Sequence, residues 1–589
     1  METAVTQPNK NSAYSVKERH FRWITSNIPC QDGCPARTNI PTYIRQVFEG
    51  KFGDAYETNR IVNIFPGVLG RICSRPCEEK CRHGERDLGT SVSICHLKRA
   101  AADHRSKGHA IGEKLFPPTG RTVAVIGAGP SGMACAHDLA VYGHEVTVFE
   151  ARQKAGGMLV YGIPAFRLPR EITAAEIQNI RRLGVDLKLG VTLGRDIELS
   201  TLSREFDAVV VAAGCYKPRD LDVPGEKLSG VISGLDFLEA ANSGRAIASL
   251  KKAVVIGGGF TAMDCARMAI RLGAEGVTVA LLTTEEEMFA TAEEIREAKH
   301  EGVEILPLVM AHEFIAGGAG TLASARFVRT KLGEMLPDGL MHEAVPIENS
   351  EFEIATDAVI VAIGQSPDSS LLGAAVSMER KDDGSFRLGS ENIYATGDYS
   401  SGASTVIEAV ANGRKAAAQV NEELEGERRY TWAVSFEEAQ PSDRERTYDF
   451  IQPLAMPTLT NTERFDDVEV EVEEGLSSQV SCEEAKRCYL CNLRFTIDVS
   501  RCIYCRYCID VAPRDCIKLA KGVTRDETGH VTGIVETSDW SEVMAVVIDN
   551  ERCIRCGNCY NICPTRCIGV TKVNLAEVET ERLSGEPIK

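Results

Sequence analysis

The side chains with the most distinctive chemistry are cysteines, and their spacing says more than their number. Two stretches near one end of the chain repeat each other: RCIYCRYCIDVAPRDCIKL, starting at residue 501, and RCIRCGNCYNICPTRCIGV, starting at residue 552. Each has three cysteines at two-residue intervals, and the second adds a fourth beside a proline. Such crowding suits a 4Fe–4S cubane, whose four irons each take one thiolate. One tetrahedral zinc ion would make poor use of three closely linked thiolates. In two-cluster motifs of this kind the fourth cysteine serves the other cluster. That rule joins Cys502, Cys505 and Cys508 with Cys563, and Cys553, Cys556 and Cys559 with position 512. Position 512 is Ala512, so Cys516 is the natural substitute. A 3Fe cluster or a non-cysteine ligand is the alternative.

The chain has 21 cysteines in 589 residues, six before residue 100, twelve after residue 480 and only Cys135, Cys215 and Cys265 between. Two cysteine-rich ends around a cysteine-poor middle predict two metal regions flanking an α/β body. A disulfide framework does not fit a chain of this length that starts METAVTQPNKNSAYSVKERH, which lacks the apolar core of a signal peptide. No apolar run is long enough to span a membrane, and a cytoplasmic location is expected. A net charge of −18 without a basic stripe excludes a nucleic-acid binder.

The middle must therefore position the remaining chemistry. RTVAVIGAGPSGMACAHDLAVYGHEVTVFEA reads as strand, glycine turn, helix and a strand ending in an acid. Gly127, Gly129 and Gly132 permit the turn and the approach of a pyrophosphate, with Pro130 and Ser131 between them. Glu150, followed by Ala151, is placed to accept ribose hydroxyls. A second unit, KKAVVIGGGFTAMDCARMAIRLGAEGVTVALLTT, carries Gly257, Gly259, Phe260, Thr261 and Ala262 in the same frame. The predicted fold is multidomain α/β, with two Rossmann-like dinucleotide domains, the second inserted in the first. The expected boundaries are a helical iron–sulfur domain at 1–112, the first dinucleotide domain at 113–227 and 351–426, and the second at 228–350. Residues 427–480, with their Pro-rich and acidic stretches, read as a solvated linker. An α+β ferredoxin-like domain is expected at 481–589.

The stretches GAGPSG, AGGMLVYGIPAFRLPREI, VAAG, VPGE, VIGGGFTAMD and YATGDYSSGASTVIEAVANGRKAA resemble, in order and spacing, the flavoprotein family that includes the glutamate synthase small (β) subunit. The resemblance implies FAD in the first unit and a nicotinamide cofactor in the second. It puts Gly156, Gly157 and Met158 near the flavin, and Asp398, after Gly397, at the ribityl or pyrophosphate region. Ser404 and Thr405 follow in the next turn, and Gly214 and Gly364 end the VAAG and VAIG strands. NADP-binding relatives carry arginines after the second strand of the second unit. Here Leu282, Thr283 and Glu285 stand in those places, which predicts NAD(H), because a 2′-phosphate would lack a counterion and meet like charge.

The first cysteines, Cys30, Cys34, Cys73, Cys77, Cys81 and Cys95, resemble the two-cluster domain of that subunit and of dihydropyrimidine dehydrogenase. Those relatives begin with an Arg-Cys-x2-Cys element absent here, yet EEAKRCYLC supplies one at residues 483–491. Cys488 and Cys491 are thus expected to complete one cluster with Cys30 and Cys81, while Cys34, Cys73, Cys77 and Cys95 hold another. The alternative is a single N-terminal cluster. Four clusters leave Cys135, Cys215, Cys265, Cys482 and Cys567 free. With no redox disulfide pair in the flavin domain, electrons must leave through metal. The expected function is an NADH-linked FAD and iron–sulfur oxidoreductase that exchanges electrons with ferredoxin or partner subunits. An adapter subunit of a hydrogenase, formate dehydrogenase or flavin-based electron-bifurcating complex is the alternative. Hydride transfer demands no acid–base residue, and the sequence marks none.

Overall fold

A computed structural model describes residues 21–85, 89–106, 115–245, 247, 250–337, 339, 341–372, 386–388, 392–525 and 531–580. The expected boundary at residue 112 and the polar first 20 residues lie outside them. The central strands of the two dinucleotide domains are near-continuous apolar runs because both of their faces are covered, in the second sheet by helices on one face and an antiparallel meander on the other. In the first sheet the order is Ile393–Ala395, Ala208–Val211, Thr122–Ile126, Glu145–Glu150 and Asp186–Leu189, all parallel. In the second it is Val231–Ser233, Ala358–Val361, Lys252–Ile256, Gly276–Ala280 and Glu304–Leu306, again parallel. In each sheet the strand order reverses beside the strand that leads into the glycine turn, which opens a ligand crevice there.

One expected boundary is wrong. Ala358–Val361 falls in the stretch assigned to the first domain, yet it pairs residue for residue with Ala253–Ile256 of the second. Its four buried residues fill the slot between Val231–Ser233 and the second domain's first strand. The second domain therefore continues past residue 350 to about residue 361. The chain crosses back through an antiparallel pair, Lys217–Pro218 with Gln365–Ser366. An antiparallel meander of Val309–Ala316, Leu322–Met335 and His342–Pro346, with Phe352–Ala355 on Leu322–Met335, packs against this domain.

The N-terminal region is helical. Ile40–Phe48 and Phe52–Asn63 are split at Gly50, which adopts φ +73. Pro66–Ile72 and Ile94–Asp103 complete the helical layer. Pro66–Ile72 docks on the flavin domain, where Glu176 accepts the amides of Gly67 and Val68 at 2.7 and 3.1 Å.

Residues 427–480 are not a solvated linker. Tyr430–Glu438 pairs along its whole length with Ile568–Glu579, whose other edge takes Leu493–Ile497, so it is a strand of the C-terminal domain. Further on, the acidic alternation is held by counter-charges. Glu471 pairs with Arg71 at 2.7 Å, Glu473 pairs with Arg99 at 3.3 Å, and Val472 between them is buried with its amide on the Phe166 carbonyl at 3.0 Å. Arg464, 1% exposed, reaches Glu301 and Glu297 of the second dinucleotide domain at 3.0 and 2.8 Å. Composition resembled a linker because the partners of these acids lie hundreds of residues away.

Arg464→Leu should cost about 2 kcal/mol, below the ~3–5 kcal/mol of a fully broken buried pair, because Glu301 keeps Arg267 and Arg271. A lower thermal midpoint and faster proteolysis within 451–476 are the expected readouts. An unchanged midpoint would contradict the anchoring role.

Candidate flavin, nicotinamide and iron–sulfur sites

The first glycine turn and the GGM segment meet. Gly157, at φ +54, would put a Cβ 2.9 Å from the Gly129 Cα, so only glycine allows this approach. Gly132 is constrained differently: a Cβ there would lie 2.0 Å from the Gly127 carbonyl, which fixes helix Pro130–Val141 directly against its strand. Gly129 caps that helix with extended backbone, φ −76, and a Cβ on it would have no atom nearer than 4.0 Å. The helix N-terminus therefore faces open space, which fits a pyrophosphate.

Glu150 ends the neighbouring strand, buried, with Ala128 N–H and Arg152 N–H donating to it at 2.8 Å each. Burial pushes its carboxyl up. Ala151 follows it, and Met158 opens the short helix Met158–Tyr161 after Gly156 and Gly157. Across the turn, Ser131 Oγ lies 3.2 Å from Thr396 Oγ1, and Gly397 and Asp398 come next. Burial also raises the Asp398 carboxyl, which accepts the Ser404 hydroxyl at 2.5 Å. Thr405 caps helix Val406–Glu425, its side chain accepting the Glu408 amide in a reciprocal capping box. Gly214 lies next to this group, and Tyr216, which the sequence reading missed, brings its hydroxyl within 3.8 Å of the Cβ position of Gly157. A buried carboxylate, an open helix N-terminus and a second acid held by Ser404 in the turn before a 20-residue helix fit FAD.

In the second unit, Gly257 ends the strand and Gly259 caps helix Phe260–Arg271, whose first turn holds Phe260, Thr261 and Ala262. Nothing lies within 4 Å of a Cβ on Gly259, so this cradle is open too. Gly364 faces it from the returning strand, with the Arg219 side chain 3.7 Å from its Cβ position. At the specificity turn Leu282 is exposed and Thr283 buried. Glu285 pairs with Lys299 at 2.7 Å, and Glu287 pairs with His342. Arg152 forms a two-pronged pair with Glu239 at 2.6 and 2.7 Å, tying the first domain to helix Gly234–Asn242 of the second.

No disulfide joins any of the cysteines. Cys30 is raised well above the ordinary thiol range by burial and then by Cys491, Cys81 and Cys488, so the two chain ends meet at this point. Burial, followed by Cys491, pushes Cys488 up to about 12. A second group forms around Cys77, raised by burial and by Cys34 and Cys95. Within it the hydrogen bond from Cys95 holds Cys73 down as the anionic partner. Lys98 was also missed: burial works to lower its ammonium, but the thiols of Cys73, Cys95, Cys77 and Cys34 hold it up.

In the C-terminal domain the Cys516 hydrogen bond pulls Cys553 down to about 6, and the same bond and then burial push Cys516 up, with Cys559 and Cys556 adding to it. Cys516, not position 512, therefore meets the second repeat. Burial raises Cys508 to about 11, with Cys502, Cys505 and Cys563 adding to it. Cys567, expected to stand apart, lies 3.4 Å from Cys563. Cys135 and Cys265 are buried on their helices, Cys215 donates to the Asp398 carbonyl at 3.1 Å, and Cys482 donates to the Val47 carbonyl at 3.2 Å. Among the described residues, no three His, Cys, Asp or Glu side chains gather at single-ion spacing. Groups of four thiols within each other's field fit a cubane.

Residues 121–416 match the family model of pyridine nucleotide-disulphide oxidoreductases, and the chain belongs to that family. Residues 8–110 match the 4Fe–4S cluster domain II of dihydropyrimidine dehydrogenase, and 501–567 match a 4Fe–4S dicluster domain. The chain is 36% identical to the NADP(+)-dependent formate dehydrogenase subunit beta of Moorella thermoacetica, over 79% of this chain and 70% of that one. It is 33% identical to the NADPH-Fe(3+) oxidoreductase subunit beta of Geobacter sulfurreducens, over 79% and 75%. It is also 33% identical to the glutamate synthase [NADPH] small chain of Escherichia coli, over 68% and 89%. The protein is an oxidoreductase that uses FAD and 4Fe–4S clusters. No helix among the described residues is long and apolar enough to cross a membrane.

Gly129→Val should fill the first cradle without straining the extended backbone. Flavin absorbance should disappear while iron–sulfur absorbance and thermal midpoint of the flavin-free chain stay near those of the parent. Full flavin occupancy in the variant would contradict the placement.

Proposed function

We propose that this chain carries electrons between NAD(H) and a redox partner through one FAD and four 4Fe–4S clusters, as the electron-transfer subunit of a cytoplasmic hetero-oligomeric complex. Ferredoxin or a catalytic subunit of the hydrogenase or formate dehydrogenase kind is the partner class, and a bifurcating assembly is the same reading with a second acceptor. When bound, FAD takes up hydride as an electron pair and the clusters carry single electrons. The observation that carries the reading is the meeting of Cys30 and Cys81 with Cys488 and Cys491.

The residues have separable roles. The N–H groups behind Gly129 and the Glu150 carboxylate bind the dinucleotide backbone of FAD, and Asp398 and helix Val406–Glu425 receive its other end. Gly259 and the first turn of helix Phe260–Arg271 bind the nicotinamide dinucleotide. The Arg152–Glu239 pair ties together the two domains that would carry the flavin and the nicotinamide. Cys30, Cys81, Cys488 and Cys491 hold one cluster, and Cys34, Cys73, Cys77 and Cys95 a second. Cys516, Cys553, Cys556 and Cys559 hold a third, and Cys502, Cys505, Cys508 and Cys563 a fourth.

The three relatives above are named for NADP(H). This chain's own turn supports NAD(H) instead. The Lys299 ammonium beside it is already engaged by Glu285, so a 2′-phosphate would have to displace a carboxylate and then face Glu286 and Glu287. A 2′-hydroxyl can donate to the carboxylates of this turn without displacing Lys299.

NADH should exceed NADPH in kcat/KM by about tenfold or more, equivalent to ~1.4 kcal/mol. Leu282→Arg with Glu285→Arg should narrow or reverse that ratio, and a parent that prefers NADPH would overturn the specificity reading. Anaerobic iron analysis should give about sixteen irons per chain, and about twelve after Cys488→Ser with Cys491→Ser. About twelve in the parent removes the shared cluster.

A further inference from the structure

Two buried arginines stand between the segment Cys488–Cys491 and the segment Cys553–Cys556. Arg555, 0% exposed, donates through Nη2 to the Cys491 carbonyl at 3.3 Å, through Nε to the Leu493 carbonyl at 3.1 Å and through Nη1 to the Cys553 carbonyl. Arg444, 4% exposed, donates through Nε to the Cys488 carbonyl and through Nη1 to the Ile554 carbonyl, both at 3.1 Å. Each guanidinium thus grips a carbonyl from both cysteine segments. Its planar fork sets their separation as a flexible ammonium could not.

The charges point the same way. Both guanidinium charges are buried, and the carbonyls they grip hold each of them beside a cysteine segment of both groups. The acid beside Arg444, Asp449, also pairs with Arg514 at 3.0 Å, so it does not cancel the two bridging charges. On either side the thiol groups adjoin in order. The helix of Cys30, Pro29–Asp32, packs on that of Cys77, Pro76–Glu79, at one end, and the helix of Cys508, Tyr507–Val511, packs on that of Cys559, Asn558–Ile562, at the other.

We infer that Arg444 and Arg555 are the positioning residues of the electron handover between the cluster held by both chain ends and the inner cluster of the C-terminal domain. They fix the gap between the two and favour the reduced state of each. The inference rests on the four-cluster reading above. It orders the relay as the Cys34 group, the Cys30 group, the Cys516 group and the Cys502 group, with the first on the side that docks to the flavin domain through Pro66–Ile72. A fixed positive charge in a poorly screened interior stabilises a cluster that gains an electron, so it raises the cluster's potential.

The test is an anaerobic redox titration of the full chain followed by electron paramagnetic resonance, with iron content measured on every sample. Arg444→Gln leaves Asp449 its Arg514 partner. With iron intact, it should shift the midpoints of the two bridged clusters downward and weaken the spin–spin interaction between them, while the other two clusters keep their midpoints. Arg444→Lys should restore the midpoints, because it keeps the charge, but leave the spin interaction weakened, because it loses the paired carbonyl bonds. Unchanged midpoints and spin interaction in both Arg444→Gln and Arg555→Gln, at parental iron, would overturn the inference. About twelve irons or fewer in the parent would instead overturn the reading beneath it, and the iron assay separates the two failures.

Discussion

The arrangement depends on one buried ion pair that returns the chain to its beginning. Arg487, fully buried, meets Glu484 at 2.6 Å and donates to the Thr90 and Ser91 carbonyls at 2.6 and 3.0 Å. Glu484 in turn accepts the Ser93 amide at 2.9 Å and the Leu454 amide at 3.2 Å. Burying two charges is costly unless geometry and extra hydrogen bonds compensate, so such a pair specifies one docking position. That position delivers Cys488 to Cys30 and Cys81 one residue later. Other long-range contacts reinforce this closure. Gln31 donates to the Leu575 carbonyl at 3.1 Å, Arg82 donates to the Asn550 carbonyl at 3.1 Å, and Arg414 spans Asp138 and Glu577 at 2.9 and 2.6 Å. Helical domain, flavin domain and C-terminal domain are thereby tied by hydrogen bonds that close over hundreds of residues.

On the nicotinamide side the logic is simpler. Two parallel sheets present two glycine turns, and ion pairs such as Arg152–Glu239 and Arg167–Asp264, the latter at 2.8 Å, join the domains that carry them. The family is named for disulfide chemistry, yet the two cysteines on the helices behind those turns are buried and unpaired with each other. Electrons that enter at the flavin have no dithiol to receive them there. The thiol groups at the two ends of the chain take that place.

Features encoded over short distances were legible in the sequence. The glycine turns, the duplicated cysteine repeats and the helices around Gly50 are local patterns, and each appears where its spacing required. Ala512 left an ambiguity that spacing could not resolve, because whether Cys516 reaches Cys553 depends on the turn Pro513–Asp515. The strand AVIV at 358–361 looked the same whichever sheet it joined, so the boundary at 351 was misplaced. Residues 427–480 misled because acids read as solvent-facing until Arg71 and Arg99 are brought to them. Lys98, Arg444 and Arg555 carry no motif, and only the folded proximity of several thiols gives them a role.

The central claim is that one chain stores electrons in a flavin and in four thiolate-held clusters at once. Anaerobic coulometric reduction of the intact, flavin-replete chain tests it most directly. The account predicts about six electrons per chain, two in the flavin and one in each cluster. Uptake of about five or fewer at full flavin occupancy would contradict it.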